Sequence, residues 1–115
     1  MKTLDDVTRI LHRHADDFVY AIVFGSCARG TQDEHSDVDI ILVRDTRLSF
    51  FDRLRELFDL FYALGRVDLL IHTEEELDTM LREPGRYFLK DAVAEGVRIE
   101  GKQRRSAQVA ETGRE

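Results

Sequence analysis

The chain has 115 residues, with 17 Lys and Arg against 23 Asp and Glu and a formal net charge of -6. That length suits one small domain with one core, and the acidic balance argues against broad, sequence-independent binding to nucleic acid, which needs a basic face. No apolar run is long enough to span a bilayer, no signal-peptide pattern opens the chain, and the single cysteine, Cys27, has no internal disulfide partner; no membrane is expected, and a cytoplasmic location is.

Leu4, Val7, Ile10 and Leu11 recur at helical spacing, so a helix is predicted over 4–14, with Thr3 as N-cap and Asp5 and Asp6 in its first turn. The continuous apolar run 18–24 predicts a buried strand that Gly25 stops. Residues 30–36 are polar and read as a loop. Val38 to Val43 predict a second strand. From 47 to 64, Phe50, Phe51, Leu54, Leu57, Phe58, Phe61 and Leu64 recur at steps of three and four, which predicts one long helix capped by Gly65, with the phenylalanines at 50, 51, 58 and 61 read mainly as core. A third strand is predicted at Val67–Ile71. Thr73 with Glu76 fits a capping box for a short acidic helix through Leu81. After the Pro84-Gly85 break, residues 86–95 predict a helix closed by Gly96, and Val97–Ile99 a short edge strand. The polar tail 102–115 is expected to be disordered, leaving 1–101 as the domain. Strands interleaved with helices give an α+β class with a small mixed sheet and helices mainly on one face.

Two features break the pattern of an ordinary strand. Asp37 and Asp39 are two residues apart at the entrance of an apolar strand, so their side chains share a face. Aspartate is depleted in strands, and two neighbouring carboxylates repel. A divalent cation resolves that conflict, and Mg²⁺ prefers hard oxygen ligands combined with substrate phosphates. Asp68 is the second anomaly, with apolar residues on both sides in strand 67–71. If that strand neighbours 38–43, Asp68 completes a cluster of three; the alternative is a buried salt bridge. Three carboxylates can hold two metal ions, which clamp the attacking and leaving oxygens of an in-line phosphoryl or nucleotidyl displacement.

The turn Gly25-Ser26-Cys27-Ala28-Arg29-Gly30 supplies the complement. Gly25 permits φ > 0 and close approach of backbone to ligand. Ser26 offers a hydroxyl and an N–H to phosphate, residues 26–30 can begin a short helix, and Arg29 can add a charge-assisted contact. Taken without Asp37 and Asp39, this stretch reads equally well as a plain strand–helix turn. His35 is read as a solvated loop residue, and Cys27 as a small turn residue rather than a nucleophile.

Together, Gly25 to Gly30 and Ser36-Asp37-Val38-Asp39-Ile40 resemble the GSxARG and SDxDI motifs of the minimal nucleotidyltransferase domains, within the superfamily that includes DNA polymerase beta. The resemblance covers about residues 3–101, with Asp68 at the position of the third aspartate. It implies the minimal nucleotidyltransferase fold and transfer of AMP from ATP with two Mg²⁺ ions held by Asp37, Asp39 and Asp68. It also implies nucleotide contacts from Gly25, Ser26, Arg29 and Ser36; the general base stays open, with Asp68 the first candidate. Larger relatives carry a helical acceptor-binding domain, for which this chain leaves no length. A protein partner that brings its own acceptor hydroxyl is therefore expected, and the resemblance implies that it is a cognate HEPN-domain toxin modified on a tyrosine, with the chain as its antitoxin in a hetero-oligomer, or itself a homo-oligomer. Two other functions stay open: a non-catalytic antitoxin acting by occlusion, and a nucleotidyltransferase for an aminoglycoside-like small molecule.

Overall fold

The structure, a computed structural model, describes residues 2–31 and 37–104. Helix α1 (Leu4–Arg13) starts at a capping box in which the Asp6 N–H donates to Thr3 Oγ1 at 3.2 Å and the Thr3 N–H donates to Asp6 Oδ2 at 3.0 Å. These bonds satisfy two amides at the start of the helix. A 3₁₀ turn (Ala15–Asp17) leads to β1 (Tyr20–Phe24), the one-turn helix α2 (Gly25–Arg29) and β2 (Val38–Val43). Helices α3 (Phe50–Glu56) and α4 (Phe58–Leu64) cross over to β3 (Val67–His72). Then come α5 (Glu74–Arg82), α6 (Tyr87–Glu95) and β4 (Val97–Glu100).

The strands form one sheet in the order β3-β2-β1-β4. β1 pairs antiparallel with β2 and with β4, while β2 and β3 run parallel, as a helical crossover requires. The result is the mixed α+β sheet expected from the sequence. β2 is central and buried along its length apart from Asp39, which is half-buried. Alternation sorts its side chains. Val38, Ile40 and Leu42 join Val7, Leu11, Leu57, Leu60 and Leu64 in the larger core, which carries α1 and α4. Ile41 and Val43 face the other way, onto Leu77 of α5 and Leu89 and Ala92 of α6. Helices thus cover the second face as well as the first.

The long helix expected over 47–64 is instead two helices broken at Leu57, whose N–H turns back to the Leu54 carbonyl at 3.2 Å. The same segment corrects the reading of its phenylalanines. Leu57, Leu60 and Leu64 take the inward stripe and are at most 2% exposed, whereas Phe51 is 76%, Phe58 63% and Tyr62 79% exposed. At 100° per residue, 57, 60 and 64 lie on one side of the helix, which leaves 58 and 62 facing out. Two apolar stripes cannot both face one sheet, and the leucines win. Arg53, on the inward side of α3, joins three elements: its guanidinium donates to Ile71 O of β3 at 3.2 Å and to both carboxylate oxygens of Glu76 on α5. That fork holds the Glu76 carboxyl down at about 2.

Gly96 ends α6, but not as a left-handed cap: its φ is -73°. Its role is close approach, since a Cβ there would meet Ala92 O at 2.6 Å and Val23 O at 2.9 Å. Both are backbone atoms that cannot step aside. Gly96→Ala is therefore expected to destabilise the fold by about 1–3 kcal/mol, measurable as a lowered urea midpoint with unchanged slope. Beyond β4 the chain stays on the body. The Lys102 N–H donates to Ala15 O at 2.7 Å, and the Gln103 side chain pairs with the Asp45 backbone in both directions, at 2.9 and 3.0 Å. The remainder of the polar tail, from 105, lies outside the described residues. Among the described residues no helix is long and apolar enough to cross a membrane.

Candidate active site

The register of the sheet brings the aspartates together. Parallel pairing sets Asp39 of β2 opposite Asp68 of β3, and antiparallel pairing sets Phe24 of β1 opposite Asp39. All three lie at the same end of the sheet. Asp39 shares the face of Ile41 and Val43, and Asp68 that of Leu70, so the two carboxylates rise from the α5–α6 side. The apolar residues on both sides of Asp68 predict an acid embedded in a strand. It is exposed instead, because β3 is an edge strand and Asp68 lies near its beginning.

Burial pushes the Asp39 carboxyl above its ordinary range, and the negative charges of Asp68 and Asp37 push it further, with Arg29 pulling the other way. Asp37, just before β2, does not turn toward Asp39: its Oδ1 accepts from Arg66 Nε at 3.2 Å. Arg66 is brought there by the sheet, since the Val38 N–H donates to Arg66 O. Among the described residues no three acidic, histidine or cysteine side chains converge closely enough to hold a metal ion. The donor set nevertheless fits a hard divalent cation. Asp39 and Asp68 are adjacent in register on one face, and their mutual repulsion is of the kind a bound cation removes. Asp37 gives Oδ1 to Arg66, and a carboxylate has a second oxygen to offer a cation.

Gly25 is required twice over. Its φ of +74° lies in the left-handed region, and a Cβ there would overlap the Asp39 carboxylate. The glycine turn and the aspartate strand are thus packed against each other, which explains why they occur together. α2 closes at Gly30, again with φ of +74°, where the Thr31 N–H bonds to Ser26 O at 3.0 Å. Ser36 and His35 lie outside the described residues.

These residues line a cleft of about 510 Å³, walled on one side by Phe24, Gly25, Ser26, Arg29 and Asp39 and on the other by α6. The α6 wall contributes Phe88, Asp91 and Glu95, none of which the sequence singled out. Their spacing of three and four places them on one helical stripe, but such a stripe with two acids reads as a solvated face until the sheet puts the glycine turn opposite it. Asp68 belongs to the same end of the sheet but not to the walls of this cleft.

The sequence profile of the family described as "Polymerase beta, Nucleotidyltransferase" matches residues 5–105. Among solved structures, the chain is similar to a candidate nucleotidyltransferase from Sulfolobus solfataricus, with 26% identity, a TM-score of 0.52, and coverage of 67% of this chain and 72% of that one. No curated protein sequence matches.

Proposed function

The chain belongs to the polymerase beta nucleotidyltransferase family, and from that footing we propose that it transfers AMP from ATP to a tyrosine hydroxyl of a partner protein, a HEPN-domain toxin that it thereby silences. The observation that carries the transferase reading is the Asp39–Asp68 register, with Gly25 packed against Asp39. In this reading Asp39 and Asp68, joined by Asp37, hold Mg²⁺, which when bound offsets the charge of the phosphates and of the attacking and leaving oxygens.

The chain's own residues do the rest. Ser26 and Arg29 hold the phosphates at the α2 side of the cleft. Asp68, exposed on the edge strand, is the carboxylate an acceptor reaches from solvent, and it takes the hydroxyl proton. The acceptor oxygen forms a bond to the α-phosphorus as the bond from that phosphorus to the α,β-bridging oxygen breaks, and pyrophosphate leaves. Support for a protein acceptor comes from the exposed aromatic residues Phe50, Phe51, Phe58 and Tyr62 on α3 and α4. An apolar surface of this kind suits a protein partner better than a small hydrophilic acceptor.

The test is incubation of the purified chain with α-³²P-labelled ATP and Mg²⁺, with and without the product of the adjacent gene, read by gel and intact mass. The expected result is a mass gain of AMP units on the partner, abolished by EDTA. Label on neither protein, with a small hydroxyl compound turned over instead, would overturn the protein acceptor and leave a small-molecule transferase.

A further inference from the structure

We propose that the outward stripe of α6 is the seat of the nucleoside: the Phe88 ring stacks the base, and the carboxylates of Asp91 and Glu95 accept hydrogen bonds from the ribose hydroxyls. This rests on the nucleotidyltransferase reading and assigns the half of the substrate that the aspartates leave unplaced.

The cleft is chemically divided. Its β1–α2 wall carries the cation Arg29, the Ser26 hydroxyl and the Gly25 backbone; its α6 wall carries an aromatic ring and two carboxylates. A triphosphate with its counter-cations belongs to the first wall. Facing it with Asp91 and Glu95 would set like charges together across a cleft, so those carboxylates meet a part of the ligand that donates hydrogen bonds. In a nucleotide the donors are the ribose hydroxyls and base amino groups, and carboxylates are acceptors only. Among the described residues neither Asp91 nor Glu95 forms an ion pair or a side-chain hydrogen bond, so both are free to accept.

Phe88 lines the cleft and is 71% exposed, so its ring is open to a ligand there. It is not loose. Its ring packs edge-on against Phe24, with centroids 5.7 Å apart and planes at 76°. Phe24 lies opposite Asp39 in the sheet, so this contact sets the ring beside the strand pair that carries Asp39. An aromatic ring held by its neighbour and lining the cleft is a stacking platform, and stacking accepts any base. Length decides the order along α6: Phe88 and Glu95 are seven residues apart, roughly 10 Å along a helix, about the span from a base to the far side of its ribose.

The chain contains no tryptophan, which gives the test a clean optical signal. In full-length Phe88→Trp, the only indole would sit on the platform. α,β-Methylene ATP with Mg²⁺ is expected to quench its emission, and inorganic tripolyphosphate is not. By calorimetry, Phe88→Ala is expected to weaken binding of α,β-methylene ATP about tenfold or more while leaving tripolyphosphate binding unchanged. Because the side chain is mostly solvent-exposed, the fold should survive, as circular dichroism would check. Asp91→Ala with Glu95→Ala, which removes both acceptors from exposed positions, is expected to cost binding of the ribonucleotide but little for its 2′,3′-dideoxy counterpart.

Three results would overturn the assignment. If Phe88→Ala binds the ATP analogue as wild type does, the base sits elsewhere, although the transferase reading stands. If the double alanine variant binds tripolyphosphate and the ATP analogue more tightly in equal measure, those carboxylates face phosphate. If wild type binds neither tripolyphosphate nor the ATP analogue, this inference and the transferase reading fail together.

Discussion

Asp39→Asn is expected to abolish nucleotidyl transfer, by about three orders of magnitude or more, and at the same time to make the protein harder to melt. The two effects have one cause. Asp39 is half-buried opposite Asp68, with Asp37 close by, and burial and both charges resist its ionisation. Its folded pKa lies above its unfolded value, so the stability it contributes is present below the ordinary value of 3.8 and is lost as pH rises through the folded pKa. At neutral pH the carboxylate is a cost. Asparagine keeps its shape and removes the charge. Calorimetry at pH 7 without divalent cation should therefore show Asp39→Asn melting about 2–4 °C above wild type, a modest gain because the site is open to solvent screening. The gap should close below pH 4. Mg²⁺ should raise the melting temperature of wild type and do little for the variant, since ligands that bind only the folded state stabilise it. Such an exchange of stability for activity is typical of catalytic carboxylates. A variant that keeps full transfer would remove Asp39 from the chemistry, and one that melts lower than wild type at pH 7 would refute the repulsion argument.

Gly25→Ala is the second large effect, and it acts on the same carboxylate from the other side. Alanine at φ of +74° costs about 1–2 kcal/mol in backbone strain alone. Its Cβ would also overlap the Asp39 carboxylate, the flexible end of a side chain, which must swing away. Displacing a catalytic group by about 1 Å is worth roughly 100-fold in rate, so transfer should fall by about that factor or more. A double-mutant cycle separates the two contributions. In Asp39→Ala the overlapping carboxylate is gone, so adding Gly25→Ala should cost less stability there than in wild type, with only the backbone strain remaining. Equal costs in both backgrounds would mean that Gly25 and Asp39 do not touch.

Much of this site was legible from residue types and spacing. Asp39 stands at the mouth of an apolar strand and Gly25 ends the strand before it, both as read, whereas Asp37 precedes β2 and pairs with Arg66. β2 occurs at Val38–Val43 as read, and Thr73 and Glu76 form the capping box their spacing implied. These are local matters of alternation and short-range hydrogen bonding. The length of the helical segment after β2 was misread for a reason just as physical. The large apolar residues over 50–64 satisfy a helical period on more than one stripe, yet nothing local says which stripe the sheet will accept.

Asp68 marks the boundary between the two kinds of knowledge. The sequence by itself determined its anomaly, an acid interrupting an apolar strand, and with the glycine turn and the paired aspartates it pointed to one family. Only the tertiary structure decided that β3 lies parallel to β2 with Asp68 level with Asp39, that Arg66 takes hold of Asp37, and that the Phe88–Glu95 stripe faces the glycine turn across the cleft. Strand register and the docking of a helix are fixed by contacts between residues tens of positions apart, and no local pattern encodes those separations.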